Sequence, residues 1–161
     1  MKYFDKMKAK YLHFLFLIFT GFTLKAQQSP LMPNYLLANQ LSLIIKKIGL
    51  PVDSAGIILI ATGQFTKAQE SNTEAFYTSQ SYDAIINFQK DNAGLITVII
   101  CQLPVNMINT AKKAILLMGM IASGTQAPPG YTAYATPKYA AFLNPEEKKG
   151  YLSLVLVQGG K

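Results

Sequence analysis

Residues 82–103, with the sequence YDAIINFQKDNAGLITVIICQL, decide how this chain folds. Their first part alternates apolar and polar residues, although Ile85 interrupts the polar face, and this period of two predicts a strand with one strongly buried face. Residues 95–103 are almost wholly apolar, which is typical of a central strand covered on both faces. Residues 91–94 predict a four-residue hairpin loop between the two strands, which Gly94 closes in the left-handed conformation.

One helix is predicted before this hairpin and another after it. The first covers residues 35–48, where apolar residues recur at spacings of four, three and four after Asn34 as the cap. The second covers residues 105–122, after Pro104. Residues 55–61, AGIILIA, are short and rich in isoleucine, so they predict a buried strand.

The remaining stretches complete the sheet. Residues 62–81 are polar and fit either a helix or a strand, while residues 130–142 predict an extended segment that Pro137 keeps out of the sheet centre. Residues 144–150 predict a charged turn and residues 151–158 a final strand, and no repeat of domain size is visible. The sequence therefore predicts an α+β fold, with one mainly antiparallel sheet of four to five strands packed against two main helices.

The basic charge is concentrated at the start of the chain. The formal net charge is +7, but five of the fifteen lysines lie in residues 1–26, and residues 27–161 carry ten lysines against seven acids. A basic start followed by an apolar run of secretory length, residues 11–24, predicts a signal peptide over residues 1–26. An uncleaved N-terminal anchor is the alternative. Residues 27–33 then form a short leader, in which two prolines resist a helix, and residues 34–161 form a single α+β domain.

Export fits the rest of the composition. Cys101 is the single cysteine, so no internal disulfide is possible and no cysteine follows the cleavage region to accept a lipid. We expect a secreted or periplasmic protein with no stable membrane insertion after cleavage. Arginine does not occur, which removes the residue that best contacts phosphates and guanine edges, so we expect no nucleic-acid partner.

The sequence lacks the residues that most catalytic mechanisms need. The only histidine, His13, lies in the predicted signal peptide, so a processed chain has no imidazole for a triad, a dyad or a common zinc site. We therefore predict no cofactor, no metal site and no catalytic residue. Cys101 lies among isoleucines and is predicted to be a buried, unreactive thiol.

Three functions stay open. We predict a non-catalytic domain that binds a protein, peptide or carbohydrate through Tyr131, Tyr134 and Tyr139, because tyrosine offers a large contact area with a polar tip. Pro128 and Pro129 are predicted to stiffen the segment that leads to these tyrosines. A small glycan hydrolase that uses two carboxylates is one alternative. A carrier of an apolar molecule is the other, because methionines suit an irregular cavity. The carboxylate candidates are Glu70, Glu74, Asp83, Glu146 and Glu147, and the methionines are Met107, Met118 and Met120.

Overall fold

The computed structural model describes residues 31–124 and 127–159, which form three α-helices and eight strands. In chain order these are α1 (Leu31–Ile44), α2 (Val52–Ile60), β1 (Thr66–Glu70), β2 (Glu74–Ser79), β3 (Ala84–Lys90), β4 (Ile96–Pro104), α3 (Ile108–Leu117), β5 (Ile121–Ala122), β6 (Thr132–Ala135), β7 (Tyr139–Lys148) and β8 (Tyr151–Gln158). Short 3-10 turns follow α1 and precede α3. The predicted signal peptide, with His13, and residues 27–30 of the predicted leader lie outside the described residues. None of the described helices is long and apolar enough to cross a bilayer.

All eight strands form one antiparallel sheet, in the order β1-β2-β3-β4-β8-β7-β6-β5. The α+β class with one antiparallel sheet is confirmed, but the predicted number of four to five strands is wrong. The undecided residues 62–81 supply β1 and β2. Residues 121–148, predicted as a helix end, an extended segment and a turn, supply β5, β6 and β7.

The topology contains a repeat that the sequence analysis missed. β1 to β4 form one antiparallel meander and β5 to β8 form another, and a helix precedes each of them. The last strands of the two meanders, β4 and β8, pair with each other at the centre of the sheet. Leu-Pro-Val occurs shortly before both meanders, at residues 50–52 and 103–105. This short shared stretch is too brief to register as a repeat in the sequence.

The predicted hairpin is confirmed. β3 pairs with β4, and the Asp91 carboxylate accepts hydrogen bonds from the backbone N–H groups of Ala93 and Leu95, both at 2.9 Å. Gly94 closes the loop with a φ of 76°. The prediction that β4 is covered on both faces is wrong, however. Its alternate residues differ in burial, since Cys101 is fully buried while Gln102 is exposed.

The predicted strand at residues 55–61 is instead the helix α2. Its buried residues Val52, Ala55 and Leu59 follow helical spacing, Pro51 is the N-cap and Asp53 lies in the first turn, where a negative charge favours the helix dipole. Ile57 is 69% exposed, so the isoleucines that suggested a strand lie partly on the solvent side of the helix. Tertiary packing therefore outweighs the β-propensity of isoleucine here.

Three predicted boundaries also move. α1 covers Leu31–Ile44 rather than residues 35–48, and Pro33 is tolerated because the first turn of a helix does not use its N–H. α3 ends at Leu117 rather than at residue 122, and Gly119, with a φ of 70°, turns the chain into β5. β7 runs through most of the predicted charged turn, so that the turn itself is limited to residues 149–150.

The core lies between the helices and one face of the sheet, which we call the inner face. All three helices contribute buried residues to this core, and each strand from β2 to β4, together with β7 and β8, contributes alternate residues. The helix residues are Leu37, Leu41, Ile44, Val52, Ala55, Leu59, Ala111, Ala114 and Ile115, and the strand residues include Tyr77, Ile86, Phe88, Ile99, Cys101, Leu143, Leu154 and Leu156.

Candidate interaction surface

The sheet face opposite the helices, which we call the outer face, carries a second set of apolar side chains. They alternate with the core residues along β2, β3, β4, β8, β7 and β6. Most of them are only partly buried, and Ile85 is 41% exposed. The set comprises Phe76, Ile85, Val98, Ile100, Val155, Val157, Phe142, Ala140, Ala135 and Ala133.

The register joins these side chains into a continuous band. Asn87 pairs with Ile100, Ile100 with Val155, and Val155 with Phe142, so one row crosses four neighbouring strands. Side chains that face each other on neighbouring strands lie about 5 Å apart and are in contact. Phe76, which pairs with Asn87 on the far side, extends the row to β2. The outer face therefore has an apolar centre without a charged side chain in this row.

Polar side chains lie at the margins of the outer face. At one end, the hydroxyl of Tyr151 donates a hydrogen bond of 2.7 Å to Asp83, and this bond is the main cause that raises the pKa of Tyr151. Asp83 holds its backbone at a φ of 49°, a left-handed conformation that aspartate tolerates better than most residues. At the same end of the strands, nearer the β5 edge, the Tyr131 hydroxyl donates a hydrogen bond of 2.7 Å to Glu147.

Tyr131 is placed by a tight turn. Its backbone N–H donates to the carbonyl of Pro128 at 3.0 Å, and Gly130 supplies the positive φ that the turn needs. Burial is the first cause that raises the pKa of Tyr131, and the hydrogen bond to Glu147 is the second. Its ring is therefore held at the margin of the outer face by a turn and a hydrogen bond.

Asn87 has a buried side-chain atom on the outer face that lacks a hydrogen-bond partner among the described residues. The side-chain amide of Asn87 donates to a carboxylate oxygen of Glu74 at 3.3 Å, at the margin of β2. Its carbonyl oxygen, Oδ1, is buried and accepts no hydrogen bond within the described part of the chain. Such an atom costs free energy unless a donor reaches it.

The three predicted binding tyrosines do not share one face. The register puts Tyr134 and Tyr139 on the inner face, where both pack against the core, because their partners Ala141 and Gln158 are on that side. Tyr131 is at the margin of the outer face. The binding role of these three tyrosines stays a prediction, with Tyr131 alone next to the apolar band.

The other candidate residues are distributed over the molecule. Cys101 is fully buried, so its predicted position in the core is confirmed, and burial raises the pKa of its thiol to about 12. Of the candidate methionines, Met120 is buried, while Met107 and Met118 pack against the core. The methionines thus fill the helix side of the core.

The carboxylate candidates differ in their partners. Glu70 contacts Lys67 and Lys90 at the β1 edge, and these hydrogen bonds lower the pKa of its carboxyl. A general acid needs a raised pKa, so Glu70 is unsuited to that role. Glu74, Asp83 and Glu147 each bond an uncharged partner instead, and Glu146 is exposed on β7. Among the described residues, no group of three or more His, Cys, Asp or Glu side chains lies close enough to hold a metal ion.

The outer face was missed as a surface although its signal is in the sequence. Ile85 interrupts the polar face of β3, and residues 95–103 are mostly apolar at odd and even positions alike. Both features indicate a second apolar face, which the sequence analysis assigned to coverage by the chain itself. Comparisons with protein-family models, with curated proteins and with solved structures return no match to this chain.

Proposed function

We propose that this protein is an exported, non-catalytic binding domain whose working surface is the outer face of its sheet. The observation that carries the proposal is the row from Phe76 to Phe142, which is apolar apart from Asn87 and lies on the side of the sheet away from the helices. The core of a protein interface is depleted in charge and enriched in aromatic residues. The outer face has this composition, with phenylalanines at both ends of the row.

The margins of the face support the same proposal. Interfaces surround their apolar core with a polar, solvent-accessible rim. Tyr131 and Tyr151, each hydrogen-bonded to a carboxylate, occupy this position. A tyrosine held in one orientation loses little entropy when it contacts a partner. We therefore propose a protein surface as the partner, with Tyr131 as one of its contacts.

Site-specific photo-crosslinking in the producing cell tests the proposed surface. A photoreactive residue replaces Val155, at the centre of the outer face, and in a matched control it replaces Leu116, which is 72% exposed on α3. We expect a discrete protein adduct from position 155 and none from position 116. No adduct from position 155, or equal adducts from both positions, would contradict the proposal.

Export is tested separately on the same cells. N-terminal sequencing of the protein recovered from the secreted or periplasmic fraction is expected to begin at or within a residue or two of Gln27. A chain that begins at Met1 and stays with the membrane fraction would contradict export without bearing on the outer face.

A further inference from the structure

We propose that the partner of the outer face is a second copy of this chain, packed sheet against sheet. This inference rests on the proposed function, since it names the protein that covers the outer face. The two copies would bury the same apolar band of each chain in one symmetric contact.

The distribution of charge favours a second copy. In a symmetric contact, groups near the two-fold axis face their own counterparts, so a charge at the centre of the face would repel its copy. The outer face carries uncharged amides on β3 and β4, namely Asn87, Gln89 and Gln102, and an amide both donates and accepts hydrogen bonds. Glu74, the charged residue at the β2 margin, is already hydrogen-bonded to Asn87. The face is therefore complementary to itself, whereas nothing in it selects a partner of opposite charge.

Two sheets that pack face to face lie about 10 Å apart, with their strands rotated by about 30°, so that side chains of the two faces interdigitate. The partly buried apolar side chains of the outer face, such as Ile100 and Val155, would fill this contact in both copies.

The size of the face matches such a contact. Six strands about 4.8 Å apart, each with about six residues that rise about 3.4 Å, give roughly 600 Å² in plan. A standard protein interface removes about 800 Å² of accessible surface from each partner. Two such faces give about 1,200 Å² in total, which is at the lower end of the range for stable interfaces.

Sedimentation velocity of the processed protein, purified from the producing cell, measures the association. We expect a dimer for the wild type and for Leu116→Asp, the matched control on α3. Val155→Asp puts a charge at the centre of the contact and is expected to raise the dimer dissociation constant at least about a hundredfold. A wild-type protein that stays monomeric at every concentration, or a dimer that Val155→Asp leaves intact, would overturn the inference.

Disulfide trapping keeps the test independent of the folding of Val155→Asp. Because Cys101 is fully buried, a cysteine introduced at position 155 would be the accessible thiol of the processed chain. We expect Val155→Cys to give a disulfide-linked dimer on mild oxidation, and Leu116→Cys to give none. Equal dimer yields from both variants would contradict the contact. Should the photo-crosslink at position 155 capture a different protein while the pure chain is monomeric, the outer face keeps its function and the second copy is excluded.

Discussion

Position 56 requires glycine because the buried ring of Tyr77 packs directly against α2 there, and not because of helix propensity. A Cβ at this position would lie 2.9 Å from Cζ of Tyr77 and closer still to its hydroxyl, and Tyr77 is fully buried. We expect Gly56→Ala to destabilise the protein by about 1–3 kcal/mol, which exceeds the gain of about 1 kcal/mol in helix propensity. Urea denaturation measures this cost. In a Tyr77→Phe background the cost should fall, while Gly124→Ala, which meets open space, should be within about 0.5 kcal/mol of wild type.

The thiol of Cys101 makes the folded state sensitive to alkaline pH. Burial raises its pKa from 9.0 to about 12, so the unfolded chain loses this proton first as the pH rises. The thiol's contribution to stability is complete below pH 9 and is lost between pH 9 and about pH 12. We expect Cys101→Ala to make the fall in unfolding free energy shallower in this range, by up to about 1.4 kcal/mol per pH unit. Parallel slopes for both proteins, or rapid labelling of the native thiol by a small reagent, would contradict the buried position.

Tyr131 and Tyr134 separate binding from folding. Tyr134 packs against the core from the inner face, whereas Tyr131 lies in a turn at the outer margin. We expect Tyr134→Ala to lower the unfolding free energy by about 2–4 kcal/mol. Tyr131→Ala should cost less than about 1 kcal/mol and yet reduce the yield of the crosslink from position 155. Equal losses of stability in the two variants would show that both rings serve the core.

At the scale of elements, the two interpretations of residues 55–61 make opposite predictions. In a strand, positions 57 and 59 share one face, whereas in the helix α2 Leu59 is fully buried and Ile57 is 69% exposed. We expect Leu59→Ala to cost about 2–5 kcal/mol and Ile57→Ala to change stability by less than about 0.5 kcal/mol. If urea denaturation showed similar losses of unfolding free energy for both variants, the strand interpretation would be supported instead.

The sequence predicts those elements in which local pattern and packing agree. Residues 82–103 combine period-two alternation with a turn that requires glycine, so their hairpin is correct, and the first helix is correct because its stripe is regular. The strand predicted at residues 55–61 is wrong because Ile57 and Ile60, which suggested it, face solvent on the helix α2. The strands β5 to β7 are missed because short, polar or proline-containing segments acquire their pairing only from neighbours distant in sequence. The outer face is missed for a related reason, since a continuous apolar strand does not say whether the chain or a partner covers it.

The two edges of the sheet are protected in different ways. β1 is exposed along its whole length, but it contains a bulge between Lys67 and Gln69 and an ion pair between Lys67 and Glu70. Bulges and charges of this kind discourage an edge from pairing with another chain. β5, at the opposite edge, is only two residues long. The edges are therefore poor sites for pairing with another chain.

At the scale of the whole molecule, the pairing of β4 with β8 is what makes two meanders one sheet. Both strands have hydrogen-bonded neighbours on either side, and α1 contacts α3 as well as α2, so the helix layer also joins the two halves. Breaking the central pair exposes the buried residues of both halves together.

We therefore expect native-state hydrogen exchange to show β4 and β8 opening only with global unfolding, at one common free energy, while β1 and β5 exchange by local opening at lower free energies. Mass spectrometry of proteolytic fragments at increasing denaturant concentration measures these free energies strand by strand. If β4 reached its limit at a different free energy from β8, the two meanders would be separate folding units, and the contact between β4 and β8 would be an interface between them rather than the centre of one cooperative core.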